Sequence, residues 1–125
     1  MAFNSGENFK IHGLTAAGDL SAKQYHAVML ATTARQVKAS NAKTAAHVGI
    51  LQNDPVAGEP ASVVGMGMTK AYSGAAVNAG DLVTANTTAQ LVATTTANDK
   101  VLGRAITPAS GTAVLFEVLV APSNY

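Results

Sequence analysis

The sequence contains no cysteine and no tryptophan, and only three Phe and three Tyr occur among its 125 residues. The absence of cysteine excludes disulfide bonds, thiolate metal sites and a cysteine nucleophile. Charged residues make up 12% of the chain and the formal net charge is +1, so no overall field marks a nucleic-acid binder. The apolar residues are mostly small or β-branched, with 25 Ala and 13 Val. A core of this kind gains less from burial than one rich in Leu and Phe, so we expect a partner surface to add stability.

The chain has no run of apolar residues of the length, about 18, that a transmembrane helix needs. Its first ten residues, MAFNSGENFK, have neither the basic nor the apolar region of a secretory signal. We therefore expect synthesis in a cytoplasm. The length predicts one folded domain, residues 11–125, preceded by a polar, flexible arm at residues 1–10 whose apolar anchors are Phe3 and Phe9.

Short runs rich in β-forming residues alternate with turn-forming residues along the rest of the chain. Such strands, separated by turns, predict an all-β fold, either a small β-barrel or a β-sandwich. The Ala-rich run 38–46 is compatible with one short helix in a connection. The predicted strands are residues 24–32, 35–40, 46–53, 62–72, 81–85, 89–93, 100–107 and 112–120.

The tetrapeptide AGDL occurs twice, at residues 17–20 and 79–82. Glycine accepts a positive φ without steric cost, and an aspartate side chain can bind nearby backbone N–H groups. A Gly-Asp pair before an apolar run is therefore typical of a turn that enters a strand. We interpret both copies as structural turns rather than as catalytic sites.

No arrangement of residues predicts an enzyme. The three histidines, His12, His26 and His47, lack metal-ligand spacing, and the carboxylates are scattered. No serine lies in a GxSxG motif, and GMGMTK at residues 65–70 lacks the frame of a phosphate-binding loop. We predict strand glycines there that allow close approach of a neighbouring group. The expectation is a protein with no catalytic residue, no metal and no cofactor.

Two features indicate interaction surfaces. Residues 20–53 contain four basic residues and no acidic one, and this basic tract can face an acidic protein surface. The other feature is the last predicted strand, whose alternation places Val114, Phe116, Val118 and Val120 on a core face and Leu115, Glu117 and Leu119 on the opposite face. The interface candidates are Phe3, Phe9, Lys23, Arg35, Lys38, Lys43, Leu115, Glu117 and Leu119.

Residues 73–120 resemble the small capsid cement, or head decoration, proteins of tailed bacteriophages. The motifs that carry the resemblance are GDLV at 80–83, VLGRA at 101–105 and GTAV at 111–114. Together with the first AGDL copy, they lead us to assign structural turns to Gly18, Asp19, Gly80, Asp81, Gly103 and Gly111.

The resemblance implies a β-rich, non-enzymatic virion protein on the outer surface of a phage head. Such a protein binds the major capsid protein and bridges its subunits, as a trimer or, less often, a dimer, with neither membrane nor nucleic acid as a direct partner. Two alternatives stay open. One is another virion component, from the tail or from head completion; the other is a small barrel that binds nucleic acid or glycan through the basic tract. Only Tyr25 is an aromatic neighbour of that tract, which weakens the second alternative.

Overall fold

The computed structural model describes residues 8–124, and over that range the chain is all-β, with no helix. This confirms the predicted fold class. The ten strands are β1 (Asn8–Ile11), β2 (Thr15–Ala16), β3 (Ala27–Leu30), β4 (Gln36–Ala39), β5 (His47–Leu51), β6 (Val63–Tyr72), β7 (Leu82–Ala85), β8 (Leu91–Ala93), β9 (Lys100–Ala105) and β10 (Leu115–Asn124).

Two parts of the sequence interpretation change. The run 38–46 forms no helix: it begins in β4, continues through a turn and ends before β5. Pairing of β4 with β3 and burial of Val37 override the helix propensity of the alanines. Residues 8–10 of the predicted arm lie in β1, which pairs with β6, whereas residues 1–7 lie outside the described range.

All ten strands belong to one sheet. Its order is β2-β4-β3-β5-β6-β10-β9-β7-β8, with β1 added on β6. The sheet is open, because among the described strands β2 and β8 end the order and do not pair with each other. β6 connects the two halves: it pairs with β5 through Val63 and Val64, and with β10 through Gly67 to Tyr72.

The sheet separates two hydrophobic cores. Successive residues of the central strands point to opposite cores: Ala27, Ile50 and Val64 belong to the larger one, and their neighbours Val28, Leu51 and Val63 belong to the smaller one. All six are fully buried. Full burial of a Val, Leu or Ile side chain contributes roughly 1.5–3 kcal/mol to the free energy of unfolding. The central strands, which bury side chains on both faces, therefore contribute most to the stability of the fold.

The GMGM segment of β6 is a β-bulge. The pairing with β1 steps from Phe9–Met66 to Lys10–Val64 and leaves Gly65 without a partner, while Gly67 has a φ of 113°. Because a bulge adds one residue, it shifts the alternation of the strand, so the even-numbered Val64 points into the larger core and the even-numbered Met66 points outward. The Ile11 side chain lies against Gly65, as the prediction of close approach required.

Five of the six predicted turn residues lie in a turn or bend or directly after one. Gly18 and Gly111 lie in bends, Gly80 lies in a turn with a φ of 92°, and Asp19 and Asp81 follow their glycines. The assignment of Gly103 to a turn is wrong, because this residue lies inside β9 and pairs with Val120 of β10.

Candidate functional site: the outer face of the closing strand

β10 divides its side chains as the alternation predicts. Phe116, Val118 and Val120 are buried in the larger core, whereas Leu115 and Leu119 are 43% and 39% exposed. Val114 lies just before the strand and packs against the same core. We call the surface formed by Leu115, Glu117, Leu119 and the outward-facing residues paired with them the outer face.

The outer face is a ladder of cross-strand pairs between β10 and β6. Leu115 lies opposite Tyr72, Glu117 opposite Lys70, and Leu119 opposite Met68. Directly opposite side chains on one face of a sheet are close enough to interact, so the ladder places an acidic and a basic residue between two apolar pairs. A shallow depression lined by Lys70, Thr107, Leu115, Phe116 and Glu117 lies at its centre.

The ladder continues onto β1. Met66 is two residues before Met68 on β6, is 53% exposed and lies opposite Phe9, which is 71% exposed. Two large apolar side chains in adjacent strands therefore extend the apolar surface beyond Leu119. Of the candidate anchors in the arm, Phe9 lies at the surface, and Phe3 lies outside the described residues.

Arg104 and Lys70 have different relations to Glu117. Lys70 is the cross-strand neighbour of Glu117. Arg104 lies opposite Leu119 and its Nη1 donates a hydrogen bond to the carbonyl oxygen of Gly80 at 2.7 Å. Arg104 therefore fixes the turn before β7, and Lys70 is the basic residue directly opposite Glu117.

The basic tract is spread over several elements. Lys23 precedes β3 and its Nζ lies 3.4 Å from the carbonyl oxygen of Thr88; Lys38 lies within β4, and both are half-buried. Arg35 lies in the turn between β3 and β4 with a φ of 61°, and Lys43 lies in the loop between β4 and β5; both are exposed. The tract thus presents two exposed cations and two partly covered ones.

The two AGDL aspartates bind backbone, as turn residues do. Asp19 Oδ1 accepts a hydrogen bond from the N–H of Ser21 at 2.9 Å, and Asp81 Oδ2 accepts one from the N–H of Asn78 at 2.9 Å. The bond from Ser21 lowers the pKa of the Asp19 carboxyl below its ordinary value. Both carboxylates are thereby accounted for by turn structure.

Sequence reasoning missed a polar cluster around His47. Its Nδ1 lies 2.8 Å from Ser40 Oγ and its Nε2 lies 3.4 Å from Thr84 Oγ1. Ser40 and Thr84 are buried, and Thr84 Oγ1 lies 2.7 Å from the carbonyl oxygen of Lys100. The cluster therefore joins β4 and β5 to β7 and β9. No sequence pattern predicts this cluster, because Ser40 contacts His47 only through the conformation of the loop between β4 and β5.

The geometry of this Ser–His pair suits structure better than nucleophilic catalysis. Ser40 is only 1% exposed, so a substrate carbonyl has no access to its hydroxyl. Burial lowers the pKa of the His47 imidazole below its ordinary value. Burial also lowers the pKa of His26, whose ring stacks 5.3 Å from that of Tyr72. Among residues 8–124 no group of three or more potential metal ligands occurs, and no helix of membrane-spanning length and hydrophobicity is found there.

Comparison with known proteins gives a match in structure alone. No protein-family model matches the chain, and no curated protein matches it significantly. Among solved structures, the N base of the head fiber protein gp8.5 of bacteriophage phi29 is similar, with a TM-score of 0.68 and 15% sequence identity. The similarity covers 91% of this chain and 92% of that chain. The two chains therefore share a fold over nearly their whole lengths.

Proposed function

We propose that this chain is a non-enzymatic structural protein of a bacteriophage head that binds the outer surface of the shell. The observation that carries the proposal is the shared fold with the N base of the phi29 head fiber, which spans 91% of the chain. The resemblance of residues 73–120 to head decoration proteins, found independently in the sequence, supports the same location. The virion, at the outer capsid surface, is thus the proposed site of action.

Decoration of the shell, with stabilisation of contacts between major capsid subunits, is the finer form of this proposal. A ligand that binds only the assembled shell shifts the equilibrium toward that shell by mass action. Many copies on one particle, or several domains in one oligomer, add avidity without any new type of contact. Within the basic tract, the exposed cations Arg35 and Lys43 are the side chains placed to meet an acidic shell surface.

A second function, attachment of a fiber to the head, is favoured by the same structural match. The two functions differ in what the shell loses when the protein is absent. A decoration protein that works as cement raises the temperature or the osmotic stress at which the shell ruptures. For a fiber base that has no cement role, we expect no change in the stress at which the shell ruptures.

The deciding experiment is quantitative mass spectrometry of purified particles from the phage that encodes this chain. We expect a copy number that approaches the number of shell subunits, together with rupture of protein-depleted shells at a lower temperature. A few copies per particle, retained on isolated tails, would indicate a tail or head-completion component instead. Absence of the chain from the particle would overturn the proposal.

A further inference from the structure

The outer face carries both signs of charge at its centre. Lys70 is exposed, Glu117 is half-buried, and they lie directly opposite each other on adjacent antiparallel strands. Leu115 lies two residues before Glu117 and Leu119 two residues after it, so apolar side chains flank the charged pair along the strand. A partner surface that matches this pattern needs a cation opposite Glu117 and an anion opposite Lys70, with apolar groups on either side.

The outer face of a second copy meets that requirement. Consider a two-fold axis that is parallel to β10 and lies between two apposed outer faces, midway between β10 and β6. Rotation about this axis places β10 of each copy over β6 of the other, at the same height along the strands. Glu117 of one copy then faces Lys70 of the other, twice, and Leu119 faces Met68. The strand axes of the two copies are then roughly aligned, within the ~30° typical of aligned sheet packing, and each β10 runs antiparallel to the β6 that it covers.

The alternative two-fold axis, perpendicular to the strands at the level of Glu117, gives the opposite result. It places Glu117 over Glu117 and Lys70 over Lys70, and like charges in apposition are unfavourable. The order of charges on the face therefore selects one of the two aligned arrangements. A contact of this kind is isologous, because the same patch serves both copies.

We infer that the chain forms a two-fold homodimer in which outer face packs on outer face, with Glu117 of each copy paired with Lys70 of the other. This inference concerns the protein in solution and does not depend on the phage-head proposal. Of the two oligomers that the sequence resemblance implies, the geometry favours the dimer. The dimer also covers Leu115 and Leu119, whose removal from water is favourable.

Charge reversal with mixing tests the inference. We expect the wild-type chain to sediment at about twice its 12.6 kDa mass at high concentration. Glu117→Lys alone and Lys70→Glu alone each place like charges in apposition twice, so each is expected to dimerise at least ~10-fold more weakly. An equimolar mixture of the two variants restores both attractive contacts between unlike chains. Native mass spectrometry of the mixture should therefore show a one-to-one heterodimer, and the rescue should diminish at high salt.

The mixture separates a contact between copies from the contact within one copy. Each variant keeps a like-charged pair inside its own chain, so an effect on folding alone cannot be rescued by adding the other variant. Circular dichroism of each variant checks that its strand content is retained. A wild-type chain that stays monomeric at all concentrations, or that has the mass of a trimer, overturns the inference. A mixture that associates no better than either variant overturns it as well.

Discussion

The carbonyl oxygen of Leu119 lies 1.9 Å from the position that a Cβ atom would occupy on Gly103. No Cβ atom can approach a backbone oxygen so closely, and both groups belong to paired strands, β9 and β10, that cannot separate without losing hydrogen bonds. Glycine at position 103 is therefore a condition for the register of these two strands. The VLGRA motif is thus explained by packing inside the sheet.

Replacement of this glycine should be costly. We expect Gly103→Ala to lower the free energy of unfolding by at least about 1–3 kcal/mol, since overpacking in a rigid place forces the backbone to move. Urea unfolding followed by circular dichroism measures the change. Gly111→Ala is the matched control, because nothing lies within 4 Å of the Cβ position there. Equal stability of the two variants would contradict this account.

Much of the fold could be predicted because turn-forming residues separate the strands along the sequence. All eight predicted strands occur, with shifts of a few residues at their ends, and the alternation in β10 correctly separated Phe116 from Leu115 and Leu119. β1 and β2 were missed. The first is short and lies in a polar segment, and the second has only two residues, Thr15 and Ala16.

Other features depend on contacts that local sequence does not encode. The bulge at Gly65 follows from the pairing of β6 with β1, which is remote in sequence. The cluster of Ser40, His47 and Thr84 likewise requires β5 and β7 to meet, although His47 and Thr84 are 37 residues apart in the sequence. Pairing of Glu117 with Lys70 needs the register between β10 and β6, which fixes the outer face.

Two half-buried histidines, His47 and His26, make stability depend on pH. Burial lowers the pKa of His47 and of His26 in the folded state, whereas the unfolded chain has the ordinary histidine pKa of about 6.5. The unfolded state therefore binds more protons at mildly acidic pH. The contribution of these histidines to the free energy of unfolding is fully present above pH ~6.5, and it is lost as the pH falls below that value toward the folded-state pKa.

Urea midpoints at pH 7.5, 6.5 and 5.5 measure this dependence. We expect the midpoint to fall over this range and the fall to be smaller in His47→Gln and His26→Gln, because each variant removes one group that takes up a proton on unfolding. The range stays above the region in which carboxylates titrate, so Asp19 does not contribute to the slope. A slope that is unchanged in the double variant would show that other groups cause it.

The predicted arm can be tested by two truncations. Deletion of residues 1–7 leaves β1 in place, so we expect a change in unfolding free energy below about 0.5 kcal/mol. Deletion of residues 1–11 also removes the pairing with β6 and the Ile11 side chain, which packs on the smaller core. That deletion should destabilise by at least about 1.5–3 kcal/mol.

The same truncations test whether the arm, with its interface candidates Phe3 and Phe9, contacts the shell, because the binding of each truncated protein to phage shells can be measured. We expect loss of residues 1–7 to weaken shell binding while the fold stays intact, as for a segment that orders on its partner. If deletion of residues 1–7 unfolds the protein, these residues are instead an integral part of the folded domain. Unchanged shell binding would remove them from the contact surface.

The two faces of β10 predict opposite consequences for similar substitutions. Leu115→Ser with Leu119→Ser replaces two exposed side chains, so the secondary structure should be retained while self-association or shell occupancy decreases. Phe116→Ser removes a side chain that is 3% exposed in the larger core, and a loss of about 3–5 kcal/mol is enough to unfold a marginally stable domain. Circular dichroism and light scattering on the same samples measure both effects. If the variant with Leu115→Ser and Leu119→Ser unfolds while the Phe116→Ser variant stays folded, the outward-facing leucines hold the fold together. The interface would then lie elsewhere.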